Sequence, residues 1–240
     1  MRAPRKLLLF AFCCSVSCAP AVAQGQVEYP PLVDCSAEVA PRQFTSGVFL
    51  SPNGRYRAFI HVVSRAATKP TVGAVGCVAT SELFVQSPED KDFRLALQDR
   101  GDPERHDFRS ALPVDWSPDG RHLLLWVHHG TYGTDEVWDI IRLYDAPTGT
   151  LTEVNYLEVM RRFYGKPEWH GGNARVLGFT PQGEVVFEIW RTGEEYDNDS
   201  CGEERFGFWA VSPTTLAARR LPADYKVQRY GRVEERAPKK

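Results

Sequence analysis

One turn, written three times, constrains this chain more than any other feature. Gly47-Val48-Phe49-Leu50-Ser51-Pro52-Asn53-Gly54, Pro113-Val114-Asp115-Trp116-Ser117-Pro118-Asp119-Gly120 and Leu177-Gly178-Phe179-Thr180-Pro181-Gln182-Gly183 line up, with turns opening at Ser51, Ser117 and Thr180, 66 and 63 residues apart. A Ser or Thr hydroxyl caps such a reversal, Pro presets φ near −65°, and the closing Gly accepts positive φ. Apolar strands follow each turn at Tyr56–Val63, His122–Val127 and Val185–Trp190, so each turn joins a hairpin.

A second echo completes the unit. Leu83–Asp90, Ile141–Gly149 and Phe208–Thr214 each run from strand residues into a Pro-containing turn, and a further apolar segment follows. These prolines lie 36, 29 and 32 residues after those of the first turns. Two hairpins per unit, in the same order three times, predict three four-stranded antiparallel meanders and an all-β fold. His122-Leu123-Leu124-Leu125-Trp126-Val127 reads as a strand covered on both faces. The outer strands alternate, as strands with one wet face do.

The Ser-Pro-Asp-Gly turn between an aromatic-ended strand and an apolar one resembles the repeat of TolB-type β-propellers, relatives of WD-repeat blades. The resemblance covers residues 44–222 and implies three propeller blades, at about 44–100, 111–155 and 174–222. It implies nothing about chemistry, because that scaffold carries many functions. Units of 63–66 residues exceed the 40–45 of a WD-type blade, and three blades fall short of the usual four of a closed ring. A homodimeric six-blade ring, completion by another chain, or some other packing of three sheets all remain open.

The first 23 residues read as an export signal. Arg2, Arg5 and Lys6 precede an apolar run, and Ala21-Val22-Ala23 sets small residues before Gln24. Lipid anchoring at Cys18 is the weaker alternative. Export implies a periplasmic or secreted protein, and no other stretch is apolar enough for a transmembrane segment. Removing residues 1–23 takes three basic residues with it, leaving 26 against 31 acids and a formal charge of −5. That balance argues against a nucleic-acid partner. Residues 24–43 form an N-terminal arm and 223–240 a charged C-terminal tail. Three cysteines remain, Cys35, Cys77 and Cys201, enough for one disulfide in an oxidising compartment. Cys35–Cys77 is the preferred pairing because it is local, with Cys77–Cys201 the alternative.

Alternation of the meanders sends every long connection to one rim: residues 64–81, 98–111, 128–136, 155–175 and 192–205. The connection at Asn155–Gly165 reads as a short helix with Asn155 as N-cap, Gly165 as stop, and Tyr156, Met160 and Phe163 on one face. The rim gathers the candidate binding residues His128, His129, Asp135, Glu136, Trp169, His170, Asp197 and Asp199. Trp169 is the one tryptophan in a loop and the best single anchor.

No cofactor or metal is expected. Adjacent His128 and His129 point to opposite sides of a strand, and the acidic run around Asp197 and Asp199 lacks the calcium-loop spacing. Gly-x-Ser-x-Gly, Cys-x-x-Cys, His-Glu-x-x-His and a phosphate-cradling glycine loop are all missing. The sequence therefore favours a non-catalytic module that binds a protein or other envelope component. A hydrolase or lyase using rim carboxylates and histidines is the enzymatic alternative, and a structural half-propeller completed by another chain is the third. Signal cleavage predicts that N-terminal sequencing of the exported protein begins at Gln24.

Overall fold

The computed structural model describes residues 42–66, 77–102, 107–131, 137–166, 173–190 and 206–234. These residues are mostly β-strand, with one helix. The first meander comprises β1 (Arg42–Thr45), β2 (Val48–Leu50), β3 (Arg57–Ala66), β4 (Cys77–Gln86) and β5 (Arg94–Arg100). The second comprises β6 (Asp107–Trp116), β7 (His122–Thr131), β8 (Val137–Asp145) and β9 (Thr150–Val154). After α1 (Tyr156–Tyr164) come β10 (Asn173–Phe179), β11 (Val185–Trp190), β12 (Gly207–Val211) and β13 (Ala218–Arg220), then a lone β14 (Arg232–Glu234). From β2 on, consecutive strands within each meander pair antiparallel, and β1 pairs with β3 in line with β2.

The three first turns share one hydrogen-bond pattern, which is why the motif recurs. Ser51 donates its amide to the Tyr56 carbonyl at 2.9 Å, and Ser117 and Thr180 do the same to His122 and Glu184 at 2.8 Å. Each hydroxyl oxygen then accepts the returning amide: Tyr56 at 2.9 Å, His122 at 2.8 Å and Glu184 at 3.2 Å. Gly54, Gly120 and Gly183 close the turns at φ 70, 69 and 79°, which a side chain resists. Asn53 Nδ2 also donates to the Asp119 carbonyl at 3.0 Å, so the first two turns touch.

Beside each turn the inner strand carries a one-residue bulge that the sequence did not announce. The register slips at Val114 in β6 and at Leu177 in β10. In the first meander the equivalent irregularity separates β1 from β2 at Ser46-Gly47, where the Ser46 hydroxyl accepts the Ile60 amide at 2.9 Å. Bulges of this kind bend a strand and sharpen its twist.

Two sheets result, where three independent ones were expected. A parallel bridge at Ala79↔Phe108 merges the first two meanders into a single ten-stranded sheet with β14 on its edge. Ser81 makes the join: its hydroxyl donates to the Arg109 carbonyl and accepts the Ala111 amide, both at 2.9 Å. The third meander is a separate four-stranded sheet, and neither sheet closes on itself.

Strand β7 is walled on both sides, as its apolar run requires. Leu123, Leu125 and Val127 pack with Ala58, Ile60 and Val62 of the first meander. Leu124 and Trp126 face the other way, against Val185, Phe187 and Ile189 of the third. Helix α1 wedges Tyr156, Val159 and Met160 into this second core. Its caps are those expected: Asn155 Oδ1 accepts the Glu158 amide at 3.1 Å, and Gly165 takes φ 64°. Phe163 departs from the expected buried face, standing 49% exposed and edge-on to Trp209.

The C-terminal residues, which the sequence presents as a charged tail, run across the inner strands of all three meanders. Tyr225 and Val227 lie against Val186 and Ala210 on the outer face of the third. Gln228 bridges to Phe179, Arg229 Nη1 donates to the Val114 carbonyl at 2.7 Å, and β14 pairs with β2. The Asp115 carboxylate, 1% exposed, accepts the Tyr230 amide at 3.1 Å and the Gly231 amide at 2.8 Å. Burial pushes this carboxyl above its usual range; those amides, that of Trp116 and the Arg229 charge pull the other way.

Ser81 supplies a test of the sheet junction. Ser81→Ala leaves a buried amide and a buried carbonyl without their partner, and the expected loss is about 2 kcal/mol, read from urea unfolding.

Candidate functional site

The strand ends define the site before any side chain does. The pairs Ala66↔Cys77, Asp107↔Thr131, Gly130↔Val137 and Asn173↔Trp190 all lie at the edge opposite the hydroxyl-capped turns. Connections 67–76, 103–106, 132–136, 167–172 and 191–205 leave from that edge, while the opposite one carries turns of a few residues. Counted from strand to strand, three of them, 67–76, 155–172 and 191–206, are longer than any turn on the opposite edge, whereas 101–106 and 132–136 are not.

Of the expected rim residues, His128 and His129 are described. They lie near the end of β7, and regular pairing through Gly130 keeps strand alternation intact there. Trp169, His170, Asp135, Glu136, Asp197 and Asp199 lie outside the described residues. Cys77 is the first residue of β4; its candidate partners Cys35 and Cys201 also lie outside. Among the described residues no group of three metal-ligating side chains gathers.

What the structure adds is a row across the second meander. Ser110, His128 and Asp139 are cross-strand partners on β6, β7 and β8 and so share one face. His128 Nδ1 lies 3.0 Å from Asp139 Oδ1, and its ring sits 5.8 Å from that of Phe108. A carboxylate on Nδ1 fixes the imidazole's orientation, as in a hydrolytic triad. Ser110, however, is 0% exposed, so its hydroxyl has no path to a substrate. The row orients an imidazole and supplies no nucleophile.

Tyr156 stands at the foot of this row on α1. Its phenol is pushed up to about 12, first by burial and then by the Asp139 charge. Its ring packs in the core shared by the second and third meanders, 5.9 Å from that of Phe187.

On the opposite face of the second meander a chain of ions links the first two. Arg109 Nη1 bonds Asp99 Oδ1 at 3.0 Å, Arg142 bonds the other Asp99 oxygen, and Arg142 Nε approaches Glu153 at 3.7 Å. Ser81, Asp99 and Arg142 border a cavity of about 10 Å³, room for one water. The chain is structural, since a pocket of that size admits no substrate.

No known family model matches this chain, and no curated protein does. The functional reading therefore rests on the molecule itself.

Asp139 and the Arg109–Asp99–Arg142 chain escaped the sequence reading, which placed Tyr156 only on the apolar face of the helix. His128 and Asp139 are 11 residues apart, and their meeting depends on the register of β7 with β8, which connection length alone does not give.

The Tyr156 phenol yields a prediction with a definite sign. Its folded pKa lies above the unfolded value of 10, so its contribution is present below pH 10 and lost as pH rises towards 12. Tyr156→Phe should remove about 2 kcal/mol of that alkaline loss, measured by urea unfolding between pH 9 and pH 12.

Proposed function

We propose that this is an exported, non-catalytic interaction module that binds a protein or other envelope component through its long-connection rim. One observation carries the reading: antiparallel register puts the three longest connections, 67–76, 155–172 and 191–206, on one edge, while the turns on the other are no longer than 87–93. Connections of variable length on a rigid sheet scaffold are where binding usually resides.

Three further points support it. Three meanders in sequence order, each opened by the same hydroxyl-capped turn, are what a TolB-type blade array would present. The His128 imidazole that Asp139 orients lacks an accessible nucleophile in its row. No helix among the described residues is long and apolar enough to cross a membrane.

The test uses immobilised protein lacking the signal and an envelope extract. Trp169→Ala, or replacement of residues 194–204 by a Gly-Ser linker, should weaken capture at least about tenfold, the loss of a hot-spot residue. The urea midpoint should not move. Capture unaffected by both changes would remove the rim assignment.

A further inference from the structure

The C-terminal strap, residues 225–234, crosses the molecule at the edge opposite the rim. It is bound there as an extended peptide is bound by a receptor. Its hold is largely main-chain: the β14–β2 ladder, the Gln228 bridge, and two consecutive amides on one carboxylate. This is recognition by strand addition, with specificity added at single positions.

Two positions are read closely. Arg229 Nη1 meets the Val114 carbonyl, which the bulge in β6 turns outward, at 2.7 Å. Gly231 fits where nothing larger does: a Cβ there would stand 2.9 Å from Trp116 Cδ1, 3.1 Å from Asp115 Oδ1 and 3.3 Å from the Leu50 carbonyl. Trp116 is itself pinned by its Nε1 donating to the Phe49 carbonyl at 3.2 Å.

The strap's side chains are at most half-buried. From 222 to 234 no residue is buried, and Val233 is 56% exposed. Vacating the seat would return the Asp115 carboxylate and the β2 edge to water, and would also uncover Trp116 and the apolar contacts of Tyr225, Val227 and Tyr230, so an incoming peptide must cover the same ground.

We propose that the seat formed by Asp115, the Val114 carbonyl, Trp116 and the free edge of β2 is a binding groove for an extended peptide carrying Arg-x-Gly, occupied here in cis by Arg229-Tyr230-Gly231. A partner presenting such a segment displaces the strap and pairs with β2 in its place. The groove lies on the turn edge, so it is a second site, independent of the rim.

Two measurements on the full-length chain test this. In hydrogen exchange, the Tyr230 and Gly231 amides should exchange at least about 100-fold faster than those of Leu124 and Leu125, through a local opening. In anisotropy, a labelled synthetic peptide of residues 225–234 should bind the unaltered chain weakly, because the tethered strap competes at roughly millimolar effective concentration. Gly231→Val in the chain unseats its own strap and should raise affinity for the unaltered peptide at least about tenfold. A peptide carrying the same Gly231→Val change should not bind. Strap amides as slow as those of β7, or no gain in peptide binding by the Gly231→Val chain, would overturn the groove and leave the strap a fixed part of the fold.

Discussion

The structure depends on one strand having no wet face. β7 sends alternate side chains into two cores, and each large apolar side chain buried there contributes roughly 2 kcal/mol. The first and third meanders share no core; each packs on the second. Beside the burial of Leu123–Val127, the first two meanders are joined by the Ser81 junction and by Phe108, Ala111 and Trp116 of β6, and the second and third by Ile141, Leu143 and helix α1. Arg109–Asp99–Arg142 aligns the first two meanders, and such a buried network is worth more for register than for net stability.

Local and distant constraints divide the work cleanly. The hydroxyl-capped turns are closed by residues within five positions of each other, so each hairpin is specified by its own sequence. The bulges, the Ser81 junction and the strap all join residues far apart in the chain. They set how the meanders lean on one another, and Gly178, with φ 148° and Val227 2.9 Å from where its Cβ would be, shows how little slack that leaning leaves.

That division explains what was legible. The turns, the strands, the helix with both caps and the two-faced character of β7 follow from patterns a few residues long. The merger of two meanders into one sheet turns on a single serine hydroxyl, Ser81, which no periodicity marks. The strap was hidden because its sequence is charged and mostly exposed; only Gly231, at a position that excludes a Cβ, hints at close approach. The His128–Asp139 pair needed a strand register, and the rim's remaining candidates lie on connections that strand patterns do not reach.

Equivalent positions of the three meanders also differ in one telling way. Where Leu123 and Val127, or Val185 and Ile189, meet a neighbour, the first meander has Arg57, bonded to Glu234 at 2.6 Å, and His61, 3.3 Å from Glu82. On the far face of the third, the place of Trp126 is taken by Glu188, bonded to Arg175 at 2.6 Å. The two ends of the array are thus finished in polar pairs, Arg57–Glu234 and Arg175–Glu188 among them, as the capping units of solenoids have polar outer faces. A fourth unit stacked on either end would bury these charges against aliphatic side chains, at a cost of several kcal/mol per ion. Array length is in this sense encoded at the two ends: lengthening the protein by duplication demands that Arg57, His61 or Glu188 become apolar first.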